Sequence, residues 1–327
     1  MAPDAEAILR ASRRPLVIGM GGGGDVVGAL ATAEAMRRYD DAEPLVGGLT
    51  WERRPIDPVP GPRRFDEIEG AWELAPAVML AGPRTRVRGR DVQFAESRMA
   101  AFLGRPTVLI AIDAGAAAVA EGLRRAMTAL HRDLLVFIDV GGDVLAQGDE
   151  PGLRSPLCDA LMLAAAAMLD RARVPVLLGI FGVGCDSELT LAEVLDRIAR
   201  VAAAGGLCGM RGLTEPVAAR LEESLEYVPT EASAQAVRAF RGASGTVTIR
   251  DGARRFELTS LAAQTTFLDV AVTIDAVGRL ARAVADAPSL ERANDALNAL
   301  GVHSELDLER AAAGSSSGSS GGPESPR

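Results

Sequence analysis

Over the first two-thirds of the chain, unbroken apolar runs alternate with segments in which apolar positions recur at helical spacing. Residues 16–18, 44–49, 77–81, 107–112, 134–138 and 174–181 read as short strands without polar alternation, and 26–35, 93–103, 116–130 and 157–171 read as helices. A further short helix is expected over 4–11. Continuous apolar strands alternating with helices predict an α/β fold, a largely parallel, doubly wound sheet with helices on both faces. Beyond residue 204 the pattern changes. There, 205–213 reads as a glycine-rich connection, 215–227 and 232–241 as helices, and 245–258 as a hairpin turning at Asp251-Gly252. One more strand is expected within 267–274, then helices over 275–285 and 290–300. The expected organisation is an α/β ligand-binding core over 1–204, a C-terminal helix and hairpin portion over 205–313 packed on the same domain, and a disordered Ser/Gly-rich tail over 314–327.

Where the first strand ends, four glycines, Gly21, Gly22, Gly23 and Gly24, precede Asp25 and a helical pattern. Glycines let a backbone take positive φ and approach a ligand closely, and the free N–H groups of a helix start attract anions. This loop is therefore a candidate anion or cofactor site. Residues 19–24 also match GxGxxG formally, but Asp25 would repel a pyrophosphate unless a cation lay between them, and Glu43 and Glu52 are poor candidates for a ribose-binding acid. NAD or a flavin is thus disfavoured. A turn without any ligand is the structural alternative.

Composition narrows the chemistry. All 35 basic residues are arginine, so a lysine Schiff base, a Walker lysine and a lysine general base are excluded. Two histidines argue against multi-histidine metal sites and Ser-His-Asp catalysis. Cys158, Cys185 and Cys208 are too sparse for a disulfide framework or a zinc clip. A net charge of −9 and a pI near 5.0 argue against nucleic-acid binding. Nor is there an uncharged apolar window long enough for a membrane span. Residues 1–14 lack the apolar core of a secretory signal, so the cytoplasm is the expected compartment.

Proton transfer and metal binding thus fall to carboxylates. Asp139 ends an apolar strand, and two glycines turn the chain so that Asp143 can lie beside it, with a polar stretch continuing to Asp159. Two close acids need a proton or a metal, and Mg²⁺ with mostly water ligands would serve. A capped turn with solvated acids is the alternative. The segment 182–188 is a third glycine-bearing loop after a strand. It carries Asp186 and Glu188 as polar or metal contacts and Cys185 as either a nucleophile or a packed loop residue. Between residues 50 and 64, Arg53, Arg54, Arg63 and Arg64 sit in a proline-rich loop that could grip an anionic ligand.

The segments 19–28, 47–53, 138–143 with 152–156, and 181–186 together resemble the family described as domain of unknown function 1152, in order along residues 15–285. The resemblance implies a Rossmann-like α/β protein and brings no catalytic residues with it. The expected function is an enzyme acting on a small phosphorylated or nucleotide-like metabolite by metal-assisted phosphoryl transfer or hydrolysis. In it Asp25, Asp139 and Asp143 would hold the cation, Asp139, Asp143 and Asp186 would be catalytic, and Gly21 to Gly24 with Arg53 would bind the anion. A non-catalytic nucleotide-binding or regulatory subunit, and a lyase or cyclase acting on a carboxylated metabolite, use the same parts and stay open.

Overall fold

The computed structural model describes residues 4–317. After α1 (Ala5–Ala11), the apolar run becomes β1 (Pro15–Gly19), buried along its whole length, and the glycine loop leads into α2 (Asp25–Tyr39). There follow β2 (Leu45–Leu49), β3 (Ile68–Ala75), β4 (Val78–Val87), α3 (Ala95–Leu103), β5 (Thr107–Ile110), α4 (Gly115–Ala129), β6 (Leu134–Val140), α5 (Pro156–Arg171), β7 (Val176–Phe181) and α6 (Leu191–Ala203). The C-terminal portion adds β8 (Leu207–Gly212), α7 (Glu215–Leu225), α8 (Glu231–Phe240), the two-stranded ribbon β9 (Gly245–Ile249) and β10 (Arg254–Leu258), and β11 (Gln264–Leu268). The helices α9 (Val270–Val277), α10 (Arg279–Val284), α11 (Leu290–Ala299) and α12 (Glu305–Ser317) complete it.

Nine strands form one sheet in the order β3-β4-β5-β2-β1-β6-β7-β11-β8. Its five central members, β5 to β7 in that order, are mutually parallel, while β4, β3, β11 and β8 are antiparallel additions at the two ends. Neighbouring side chains of β1 serve opposite faces. Leu16 and Ile18 join a core with α4, α5 and α9 to α11, whereas Val17 joins one with α2, α7 and α8. The chain leaves β1 toward β2 on one side and later fills β6 on the other, so the order of strands reverses between β1 and β6. Folds of this kind bind ligands in the crevice at the carboxyl ends of the strands beside such a reversal.

Two expectations for the C-terminal portion change. Residues 207–212 are a strand rather than a connection; the glycine at 206 is there for packing, since a Cβ on Gly206 would stand 2.6 Å from Val272 Cγ1. The strand expected within 267–274 ends at Leu268, because the Asp269 carboxylate accepts from Val272 N at 2.8 Å and starts α9. Residues beyond 204 thus supply two strands of the central sheet. Helix α12 runs to Ser317, into the segment read as a tail, and residues 318–327 lie outside the described ones. Among the described residues no helix is long and apolar enough to cross a membrane.

Gly28 sets how closely α2 lies on the sheet: a Cβ there would stand 2.4 Å from Val140 Cγ2. Gly28→Ala should therefore lower stability by about 1–3 kcal/mol through overpacking. Adding Val140→Ala should return part of that loss in a chemical-denaturation cycle. Strict additivity of the two changes would show that the helix and strand are not in register at this point.

Candidate functional site

The loops after β1 and β6 meet at the strand reversal, and a cleft of about 230 Å³ opens there. Asp139 is the next-to-last residue of β6 and is 1% exposed. Behind it Gly141 and Gly142 take φ of 118° and 119°, conformations that favour glycine. Gly141 has a second reason for lacking a side chain: a Cβ would fall 2.1 Å from Asp186 Cγ. The missing atom lets the carboxylate of the β7 loop lie directly against the β6 loop.

Five carboxylates converge as a result. Asp139, Asp143 and Asp159 can each present an oxygen so that all lie within 4.8 Å of one another, and so can Asp143, Asp186 and Glu188. All five side chains are buried. Both oxygens of Asp159 and Oδ2 of Asp186 have no hydrogen-bond partner, and those of Asp139 have only loose contacts with the Asp143 carboxyl and the Gly142 and Val144 amides, none of good hydrogen-bond geometry. Burial and mutual repulsion push these acids up: Asp139 to about 7, and Asp143, Asp159 and Asp186 well above the ordinary carboxylate range. Asp159 sits in the first turn of α5, where the helix dipole favours a negative charge.

Asp25 stands beside this cluster rather than inside either group. Its Oδ2 accepts from Gly21 N at 2.8 Å, and burial, then the charge of Asp139, push its carboxyl up to about 8. A Cβ on Gly21 would meet Asp25 Oδ2 at 2.7 Å and Asp159 Oδ2 at 3.7 Å, so the first loop glycine makes room for both acids. Gly22 and Gly23 have φ of 80° and 58°, and a Cβ on Gly24 would collide with Thr230 Oγ1. Three of the four glycines therefore answer to neighbours within the protein. At Gly23 the nearest atom to a Cβ is Arg53 Cγ, 4.0 Å away.

Arg53 is not a free arm. Its Nη2 donates to the Gly21 carbonyl at 2.7 Å and to Glu305 at 3.3 Å, and its guanidinium lies 4.3 Å from the centre of the Trp51 ring. It ties the glycine loop to α12. Arg63 is likewise spent inside the proline-rich loop, on Asp57 at 2.7 Å, and exposed Arg64 pairs with Asp66 at 3.0 Å. The arginines at the cleft wall are Arg54, Arg98 and Arg250 with Arg53.

Several contributors were missed or underweighted in the sequence. Glu305 accepts from Leu157 N and Cys158 N, both at 2.9 Å, and so caps α5 from the far end of the chain. Glu188 accepts from Arg154 N, Ser155 N, the Ser155 hydroxyl and Arg254, which fixes the loop preceding α5. Glu52 lies just past β2 and is held by Ala95 N and Arg98. Cys185 is packed under the β9–β10 ribbon with Ile249 and Phe256, and burial raises its thiol far above ordinary values. A buried thiol without a base is a packing residue.

A protein-family model described as a protein of unknown function (DUF1152) matches residues 16–313. No curated protein and no solved structure matches the chain.

A carboxyl whose folded pKa is raised contributes stability that is present below its unfolded pKa and lost as pH rises through the folded value. For Asp139 that window runs from 3.8 to about 7. In a chelator, Asp139→Asn should therefore melt higher than the native protein at pH 8, by roughly 2 °C or more, the shift that about 1 kcal/mol gives in a chain of this size. The gap should shrink toward pH 4. A variant that melts lower than the native protein at pH 8 would mean that Asp139 has a partner in the folded state.

Proposed function

The chain belongs to the domain of unknown function 1152 family, a membership that assigns no activity, and from the site itself we propose a divalent-metal-assisted enzyme that hydrolyses or transfers a phosphoryl group of a small phosphorylated or nucleotide-like metabolite. One observation carries the reading: buried carboxylates with unpartnered oxygens converge at the strand reversal. Such a cluster is stable only with protons, guanidinium groups or a cation. Among the described residues, the guanidinium that reaches it belongs to Arg254, and it goes to Glu188 and the Asp186 carbonyl. Protons would make the acids useless as ligands at neutral pH. A cation gives their unpartnered oxygens a ligand role.

The donor set is all oxygen, which selects hard ions such as Mg²⁺ over zinc or copper. Asp139, Asp143 and Asp159 would hold the ion, with Asp25 and Asp186 as neighbouring acids. When bound there, such an ion would supply Lewis-acid charge to a phosphoryl oxygen and lower the pKa of a water. Arg54, Arg98 and Arg250 line the same cleft and would meet the negative charge of the ligand. Asp25 Oδ2 already takes the Gly21 amide, so that donor is not free for a pyrophosphate at the start of α2, which supports a metal-bridged phosphate over NAD or a flavin.

In a thermal-shift experiment, Mg²⁺ or Mn²⁺ added after chelation should raise the melting temperature, with about 2.7 kcal/mol available at a hundredfold excess over Kd. Asp143→Asn should remove that shift while leaving the far-UV spectrum unchanged. A screen of phosphate esters and nucleotides with the metal present should then reveal phosphate release or transfer. Ligand stabilisation without product on prolonged incubation would identify a non-catalytic binder, and an undiminished metal shift in Asp143→Asn would remove the basis of the reading.

A further inference from the structure

The two carboxylate groups are distinct but joined. Asp139 and Asp159 belong to one, Asp186 and Glu188 to the other, and Asp143 to both. Ligands on opposite sides of one Mg²⁺ are about 4.2 Å apart, and the oxygens that come within 4.8 Å of one another form two sets of three rather than one set of five. Each group also contains buried oxygens that nothing else satisfies, both of Asp159 in the first and Oδ2 of Asp186 in the second. The residues come from the end of β6, the loop after it, the first turn of α5 and the loop after β7, so their convergence is a product of the fold and not of sequence proximity.

We infer that the cluster is built for two divalent cations bridged by Asp143, one held by Asp139, Asp143 and Asp159, the other by Asp143, Asp186 and Glu188, an inference that rests on the metal reading above. The two sites are unequal. Glu188 already accepts from two backbone amides, the Ser155 hydroxyl and Arg254, so it brings less free donor capacity, and the nearby guanidinium opposes a second cation. The Asp186 site is therefore the weaker one, and it is the one that a ligand oxygen would complete. A pair of ions at a shared carboxylate is suited to clamping the oxygens of a phosphate ester during in-line displacement.

The test uses the full chain, stripped with a chelator and titrated with Mn²⁺ in a calorimeter, with electron paramagnetic resonance spectra taken along the titration. The expected result is two Mn²⁺ per chain, a tighter one and one at least about ten-fold weaker, with the signal of isolated Mn²⁺ giving way to that of a coupled pair as the second binds. Asp159→Asn should lose the tighter step and keep the weaker, Asp186→Asn the reverse, and Asp143→Asn should lose both. One Mn²⁺ per chain with an isolated-ion spectrum would overturn the paired site and leave the single-metal reading standing. Two ions without magnetic coupling would overturn the shared Asp143. No binding by the native chain would overturn both the pair and the metal reading, independently of whether any variant folds.

Discussion

The arrangement depends on the cost of holding like charges together out of water. Asp139, Asp143, Asp159 and Asp186 repel one another across a few ångströms in a buried setting, and several kcal/mol per uncompensated charge is the usual penalty. The surrounding chain is shaped to impose this crowding. Gly141 has no side chain where Asp186 must lie, Gly21 none where Asp25 and Asp159 meet, and the first turn of α5 directs its positive end at Asp159. A fold that served itself alone would place apolar side chains here, as it does on both faces of β1. The most economical physical account is that something positively charged completes the site.

The C-terminal portion closes that site rather than standing apart from it. Glu305 of α12 supplies the acceptors for the opening amides of α5, so it holds the helix that carries Asp159, and it pairs with Arg53, which in turn holds the carbonyl of Gly21. Thr230, between α7 and α8, packs over Gly24, and Arg254 of β10 secures Glu188. A core ending at residue 204 would lack the cap of α5, the cover of the glycine loop and the last two strands of the sheet.

Much of this was legible in the sequence, for local reasons. Apolar strands ending in glycine and acid placed Asp139, Asp143 and Asp186 at one edge of a parallel sheet, and the four glycines marked the loop after β1. Asp159 carried a weaker signal: it is an acid in the first turn of a largely apolar helix, which reads equally well as a solvated first-turn residue. The ties of Arg53 were beyond local reading, since its partner Glu305 lies 252 residues away. The same limit hid β8, whose glycines imitate a connection until the packing of Val272 against Gly206 is known. Asp25 was visible at the helix start, but only the fold shows that Gly21 N occupies one of its oxygens and sets it beside the cluster instead of within it.

The central claim, that the buried carboxylates form a cation site, is tested most directly by anomalous diffraction from crystals of the native chain grown with Mn²⁺. The expected result is strong anomalous density at coordination distance, about 2.2 Å, from oxygens of Asp139, Asp143 and Asp159. The contradicting result is a cluster empty of anomalous density at saturating Mn²⁺, with its carboxyl oxygens hydrogen-bonded to one another as protonated pairs.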